Sequence, residues 1–207
     1  MARRNDHSRE ELRRMSLEAA EDILTREGVH ALSVRRIAKS IGYTHGTLYL
    51  LFQNLDGLLL EVNGRTVHDL AQCLQRVAQQ AESGAARLHA LANAYVQFAR
   101  AHNARWRLVF GHRTLHEEPT PQFLGERIAE AYAVLNAALA DAGAAIDDIQ
   151  PLSAALFAAI HGVTILALDN KLVDHSGESM NFEPVLNKTV QVFCAAIEKS
   201  SRTRGKS

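Results

Sequence analysis

Between Ser33 and Phe52 the chain carries a run of side chains suited to hydrogen-bonding an anion. Thr44, Thr47 and Tyr49 each offer a hydroxyl, and His45 offers a ring nitrogen. Phosphate oxygens are held by such groups and by arginine and lysine. Arg35, Arg36 and Lys39 stand just upstream, and residues 30–53 contain no acid. Gly46 sits among them. A glycine inside a helix costs about 1 kcal/mol relative to alanine. In so short a helix, it suggests that another backbone, a phosphate or a base edge must come close.

Two other groupings carry chemistry. His112 and His116 are four apart with Glu117 adjacent, the spacing of a helical metal-binding pair. Arginines precede and interleave them and Pro119 follows closely, so a solvated loop end is the competing reading. His161 lies in the apolar run Leu152–Leu168, where a histidine needs a hydrogen-bond partner. Gly162 beside it leaves room for a ligand or a second helix. Tyr95, Phe98, Trp106, Phe110 and Tyr132 are the aromatics that could line a pocket with it, against the plainer reading of each as core. There is no phosphate-binding glycine loop, GxSxG, GxGxxG or HExxH. No nucleophile with a convincing base emerges, so neither an enzyme nor a bound cofactor is expected.

Helices must position these groups. Strand-like alternation is absent, and apolar residues recur at helical spacing. Ser8-Arg9-Glu10-Glu11 has the form of a capping box, with Leu12, Met15, Ala19, Ile23 and Leu24 on one face and a stop at Gly28. Ser33 caps a second helix to Ser40. Ile41-Gly42-Tyr43 makes a turn, and Thr44 caps a third helix with Leu48, Leu51 and Phe52 inward. Asn54 opens a fourth helix to about residue 80. Further helices are predicted over 84–102, 104–111, 119–142, 149–173 and 181–200, with a polar, frayed tail from 200 to 207. A three-residue turn between two short helices is the layout of a helix-turn-helix, whose second helix can enter the DNA major groove. The alternative is a three-helix packing module with an exposed polar helix.

The 207 residues are 47% hydrophobic and 22% charged, a composition that excludes an intrinsically disordered chain. Lys and Arg balance Asp and Glu at 23 each, yet the average hides a basic head: Arg3, Arg4, Arg9, Arg13 and Arg14 crowd the first 14 residues. Cys73 and Cys194 stand far apart without a CxxC, which suits a reducing compartment. The N-terminus lacks an apolar signal core. The run ending at Leu168 is interrupted by Ser153, His161 and Thr164 and is read as a buried helix, not a membrane span. A soluble, cytoplasmic protein is expected.

Residues 8–60 resemble the DNA-binding domain of the TetR family of transcriptional regulators. The resemblance rests on Leu32-Ser33-Val34-Arg35-Arg36-Ile37-Ala38, on Ile41-Gly42-Tyr43-Thr44-His45-Gly46-Thr47-Leu48-Tyr49, and on Phe52 and Leu58-Leu59. Family members usually carry Lys where this chain has His45, often His where it has Leu50, and commonly Lys where it has Gln53 and Leu55. Trp106 in Arg105-Trp106-Arg107-Leu108-Val109-Phe110, and the pair His161-Gly162, resemble the Trp and His-Gly positions of one TetR-type C-terminal domain class. The resemblance implies an all-α fold: an N-terminal three-helix bundle with a helix-turn-helix (1–53), a helical ligand-binding and dimerisation domain (54–200), and a polar tail (201–207). It implies a homodimeric regulator that binds double-stranded operator DNA and a small-molecule effector, most simply a repressor released by that effector.

On this reading DNA contacts fall to Arg3, Arg4, Arg35, Thr44, His45, Gly46, Thr47 and Tyr49. The effector pocket falls to Tyr95, Phe98, Trp106, Phe110, Tyr132 and His161. The 149–173 helix is apolar around almost its whole circumference, so it must be covered on two sides. With the last helix it would make a four-helix dimer contact through Leu156, Ile160, Val163, Leu186, Val190 and Phe193. A metal-responsive regulator using His112 and His116 is the alternative, with a helical enzyme behind it and a monomeric bundle as the rival to the dimer.

Overall fold

The computed structural model describes residues 7–112 and 119–204, and every regular element among them is helical apart from one isolated bridge, Val173 to Ser179. Helix α1 (Arg9–Glu27) opens on the full capping box: the Ser8 hydroxyl accepts from the Glu11 amide and the Glu11 carboxylate accepts from the Ser8 amide. That carboxylate is held below its usual pKa by those Ser8 hydrogen bonds. Gly28, with φ +83°, ends the helix. Ser33 caps α2 (Val34–Ser40), accepting from the Arg36 amide. After α3 (His45–Phe52), the Asn54 side chain accepts from the Gly57 amide and starts α4 (Leu55–Gln80).

The remaining helices are α5 (Ala85–Ala101), α6 (Asn103–Gly111), α7 (Gln122–Asp141), α8 (Ile149–Leu168) and α9 (Phe182–Arg204). Three ends differ from the sequence expectation. Helix α7 begins at Gln122 and not at 119, beyond Pro119 and Pro121. Helix α8 stops at Leu168, not at 173, because Asn170 takes left-handed backbone at φ +53° and residues 173–179 fold back on themselves. Residues 201–204, expected in a frayed tail, continue α9; the Ser201 hydroxyl reaches the Gly143 carbonyl at 2.9 Å.

The chain forms two compact units, Met1–Val67 with His102–Glu126 and His68–Ala101 with Arg127–Ser207. In the first, α1, α2, α3 and the start of α4 close over Leu17, Ile23, Leu24, Ile37, Leu48, Phe52, Leu58 and Val62, with Leu108 of α6 joining them. Gly64 of α4 carries the Phe123 ring so closely that a Cβ there would stand 3.0 Å from it. In the second unit α5, α8 and α9 pack together, and Leu88, Val96, Leu139, Leu156, Leu186 and Val190 are fully buried. The Arg100 guanidinium lies 4.1 Å over the Phe182 ring, a cation–π contact.

Candidate functional site

The turn between α2 and α3 depends on Gly42. Its φ of +78° is left-handed backbone that favours glycine, and it lets the Tyr43 amide reach the Ala38 carbonyl at 2.9 Å. Helix α3 then buries Leu48, Leu51 and Phe52 and leaves His45, Gly46, Tyr49 and Leu50 exposed, with Thr47 half-buried. The His45 and Tyr49 rings meet edge to face with centroids 6.3 Å apart. Thr44 stands at the cap position, but its hydroxyl takes no backbone amide as expected; it pairs with the Thr47 hydroxyl at 3.2 Å. A Cβ on Gly46 would meet only the Thr44 hydroxyl, at 3.7 Å. Nothing within the chain among the described residues therefore calls for glycine there.

Arg35, Lys39, Gly42, Tyr43, Thr44 and His45 line an open cleft of about 430 Å³ at the N-terminal end of α3. Arg35 and Lys39 are both exposed. Arg36 is engaged by Glu27. Arg13 pairs with Glu61, donates to the Leu51 carbonyl and lies 4.9 Å over the Phe52 ring, so its role is to bind α1 to α3 and α4. His7 Nδ1 lies 3.0 Å from the Tyr43 hydroxyl. The sequence already placed Lys39 among the cations near this surface, but it left Tyr43 outside the contact set; the only signal for Tyr43 was its place in the turn. Arg3 and Arg4 lie outside the described residues.

The structure divides the six pocket candidates. Trp106 and Phe110 are in the first unit, their rings tilted at 56° with centroids 5.2 Å apart. Tyr95, Phe98, Tyr132 and His161 are in the second. There the Tyr95 hydroxyl and His161 Nδ1 share a hydrogen bond of 2.8 Å. Phe157, counted in the sequence only among the apolar residues of this helix and not among the pocket candidates, is the hub: its ring lies 5.9 Å from Tyr95, 5.7 Å from Tyr132 and 5.6 Å from His161. Burial lowers the His161 pKa, favouring the neutral imidazole, and raises that of the Tyr132 phenol. Phe98 is 6% exposed on α5.

Leu156, Ile160, Val163, Leu186 and Val190, expected at a dimer contact, are buried within the single chain. These side chains face the core where α5, α8 and α9 pack together. The outward face of α8 carries Ala154, Ala155, Ala158 and Leu166 instead, and only 22% of its most apolar stretch is buried in the protomer. On α9, Val192 is 57% exposed, and half-buried Phe193 lines an apolar groove with Met180, Pro184 and Val185.

Residues 17–62 match the sequence model of bacterial regulatory proteins of the tetR family, and residues 88–192 match that of the tetracyclin repressor-like C-terminal domain. The chain belongs to the TetR family. Among solved structures, a Rhodococcus sp. RHA1 protein of unknown function shares 27% identity over 94% of this chain and 98% of its own, with a TM-score of 0.76. The TetR-family regulator PfmR of Thermus thermophilus shares 16% over 87% and 97%, TM-score 0.58. The regulator FadR of Bacillus subtilis, solved with stearoyl-CoA, shares 14% over 87% and 97%, TM-score 0.66. No curated protein matches the chain.

The protein is thus a ligand-responsive, DNA-binding transcriptional regulator of all-α TetR architecture. The metal-responsive alternative finds no support. His116 lies outside the described residues, and His112 Nε2 is 3.0 Å from the Asp56 carboxylate, tying the end of α6 to the first turn of α4. Among the described residues no three His, Cys, Asp or Glu side chains are gathered for a metal.

Proposed function

We propose that this TetR-family regulator is a homodimeric, non-enzymatic, cytoplasmic repressor that leaves its operator when a small molecule binds its second unit. The observation that carries the reading is the two-faced α3, which buries Leu48, Leu51 and Phe52 and holds His45, Gly46, Thr47 and Tyr49 outward beside the Arg35–Lys39 cleft. Residues 1–53 serve as the reading head. Arg35, Lys39, Tyr43, Thr44, Thr47 and Tyr49 take phosphates, with His45 and Gly46 at the groove and Arg3 and Arg4 in the preceding arm.

Residues 54–200 serve dimerisation and ligand binding. The uncovered apolar faces of α8 and α9 meet those of a second copy, through Leu166, Val192 and Phe193 rather than through the buried leucines. The effector meets Tyr95, Tyr132, Phe157 and His161: a mostly apolar molecule with one polar group suits three aromatic rings and a neutral imidazole. Helix α4 is continuous from the reading head into the second unit. An effector that prefers a tilted α4 changes the separation of the two recognition helices from the roughly 34 Å that successive major grooves require, and DNA is released.

Selection of duplexes from a random pool, with light scattering for mass, tests this. A two-fold symmetric motif and a mass of two chains are expected, with Val192→Glu yielding monomers that bind it poorly. A promoter–reporter carrying the motif should be silenced by the protein. Stearoyl-CoA is the first effector probe, on the strength of a shared fold with FadR. A pool without enrichment would overturn the reading.

A further inference from the structure

Leu50 is 79% exposed, on a surface otherwise made of hydroxyls, a histidine and cations. Its neighbour Leu51 is buried at 9% and belongs to the core, so packing accounts for Leu51 and not for Leu50. Side chains three and four apart share a helix face. Leu50 therefore stands one turn beyond Gly46 and beside Thr47, on the face that α3 turns away from its own core. Cations flank it at both ends. The Arg9 guanidinium donates to the Leu50 carbonyl at 3.5 Å, and Arg35 and Lys39 lie at the start of α3. A helix held to phosphates on either side presents the outward face between them to the bases. Gly46, where a Cβ would touch only the Thr44 hydroxyl at 3.7 Å, allows the turn before Leu50 to come down close.

We propose that Leu50 reads thymine, its methyl groups packing against a thymine C5-methyl on the floor of the major groove. Thymine alone presents a methyl group there; the other edges are donors and acceptors. A leucine pressed onto those would strip them of water and return no hydrogen bond. Leu50 thus selects by attraction to thymine and by exclusion of the other bases at the same position. The inference rests on the DNA-binding reading above and adds a base and an atom to it.

The test uses full-length protein and a duplex it has selected from a random pool. Each thymine is replaced in turn by deoxyuridine, which removes only the C5-methyl, and affinity is measured by competition gel shift. At one thymine per half-site, uracil should weaken the wild type about fourfold, the transfer free energy of one buried methyl. Leu50→Ala, an exposed change to a better helix former, should bind the thymine duplex more weakly and lose nothing further with uracil. A thermal melt confirms that it folds. Wild-type affinity unchanged by uracil at every position would overturn the inference while leaving operator binding intact. So would an equal uracil penalty in Leu50→Ala, since another residue would then hold the methyl. A pool that yields no enriched duplex would overturn the DNA-binding reading and this inference with it.

Discussion

The 3.0 Å contact between His7 Nδ1 and the Tyr43 hydroxyl anchors the start of α1 to the turn of the helix-turn-helix. Tyr43 lines the cationic cleft with Arg35 and Lys39, so His7 stands beside the surface proposed to meet DNA.

Removing residues 1–6 should accordingly flatten the salt dependence of operator binding. Log affinity falls with log salt by about 0.9 per phosphate neutralised. Arg3 and Arg4 on both arms of a dimer amount to a change in slope of up to about 4. Gel-shift titrations from low to high salt on both proteins measure it. An unchanged slope would show that the arm stays off the phosphates.

Tyr49→Phe should weaken operator binding by about 1 kcal/mol, the loss of one hydrogen bond to a phosphate. The ring is half exposed and keeps its edge contact with His45, so the melting temperature should not move. Equal affinity for the two proteins would remove the hydroxyl from the contacts.

Gly46→Leu should abolish operator binding and leave the fold as stable or more so. No described atom crowds the position, and leucine is the better helix former by several tenths of a kcal/mol. A variant that melted higher and still bound the selected duplex normally would refute close approach at this point.

Gly57→Ala should behave in the opposite way, losing stability first. A Cβ at Gly57 would run into the backbone carbonyl of Phe52, the last residue of α3, and backbone cannot swing aside as a side chain can. A cost of about 1–3 kcal/mol is expected, of the size seen on overpacking, read by urea denaturation. No loss of stability would mean that the turn from α3 to α4 yields easily.

Acid should expose the role of His161. Its pKa is lowered in the folded protein by burial, so the unfolded chain binds the proton more readily. The contribution of the neutral ring is full above the unfolded pKa of about 6.5 and is lost as pH falls below it towards the lower folded value. Melting temperatures of the wild type and His161→Gln across pH 8 to 5 should show a steeper acid loss in the wild type. Parallel curves would place the acid sensitivity elsewhere.

Local signals in the sequence determined the reading head. The capping box at Ser8, the caps at Ser33 and Asn54, the turn at Gly42 and the inward trio Leu48, Leu51 and Phe52 act within a few residues, and all are present in the structure. The outward placement of His45, Gly46 and Tyr49 follows from the same periodicity. Even here one local rule yields: Thr44 has the right type for a cap, but its hydroxyl bonds to Thr47 and not to an amide.

What the sequence could not decide is which side of an all-apolar helix faces its own core. Periodicity assigns a face only where polar residues mark the other one, and α8 has almost none. Packing against α5 and α9 drew Leu156, Ile160 and Val163 inward and left the alanines and Leu166 outside. The same limit hid Phe157, whose role exists only because three helices bring Tyr95, Tyr132 and His161 around it. Contacts between residues far apart in the chain depend on the volumes of neighbouring helices, and no local spacing encodes those volumes.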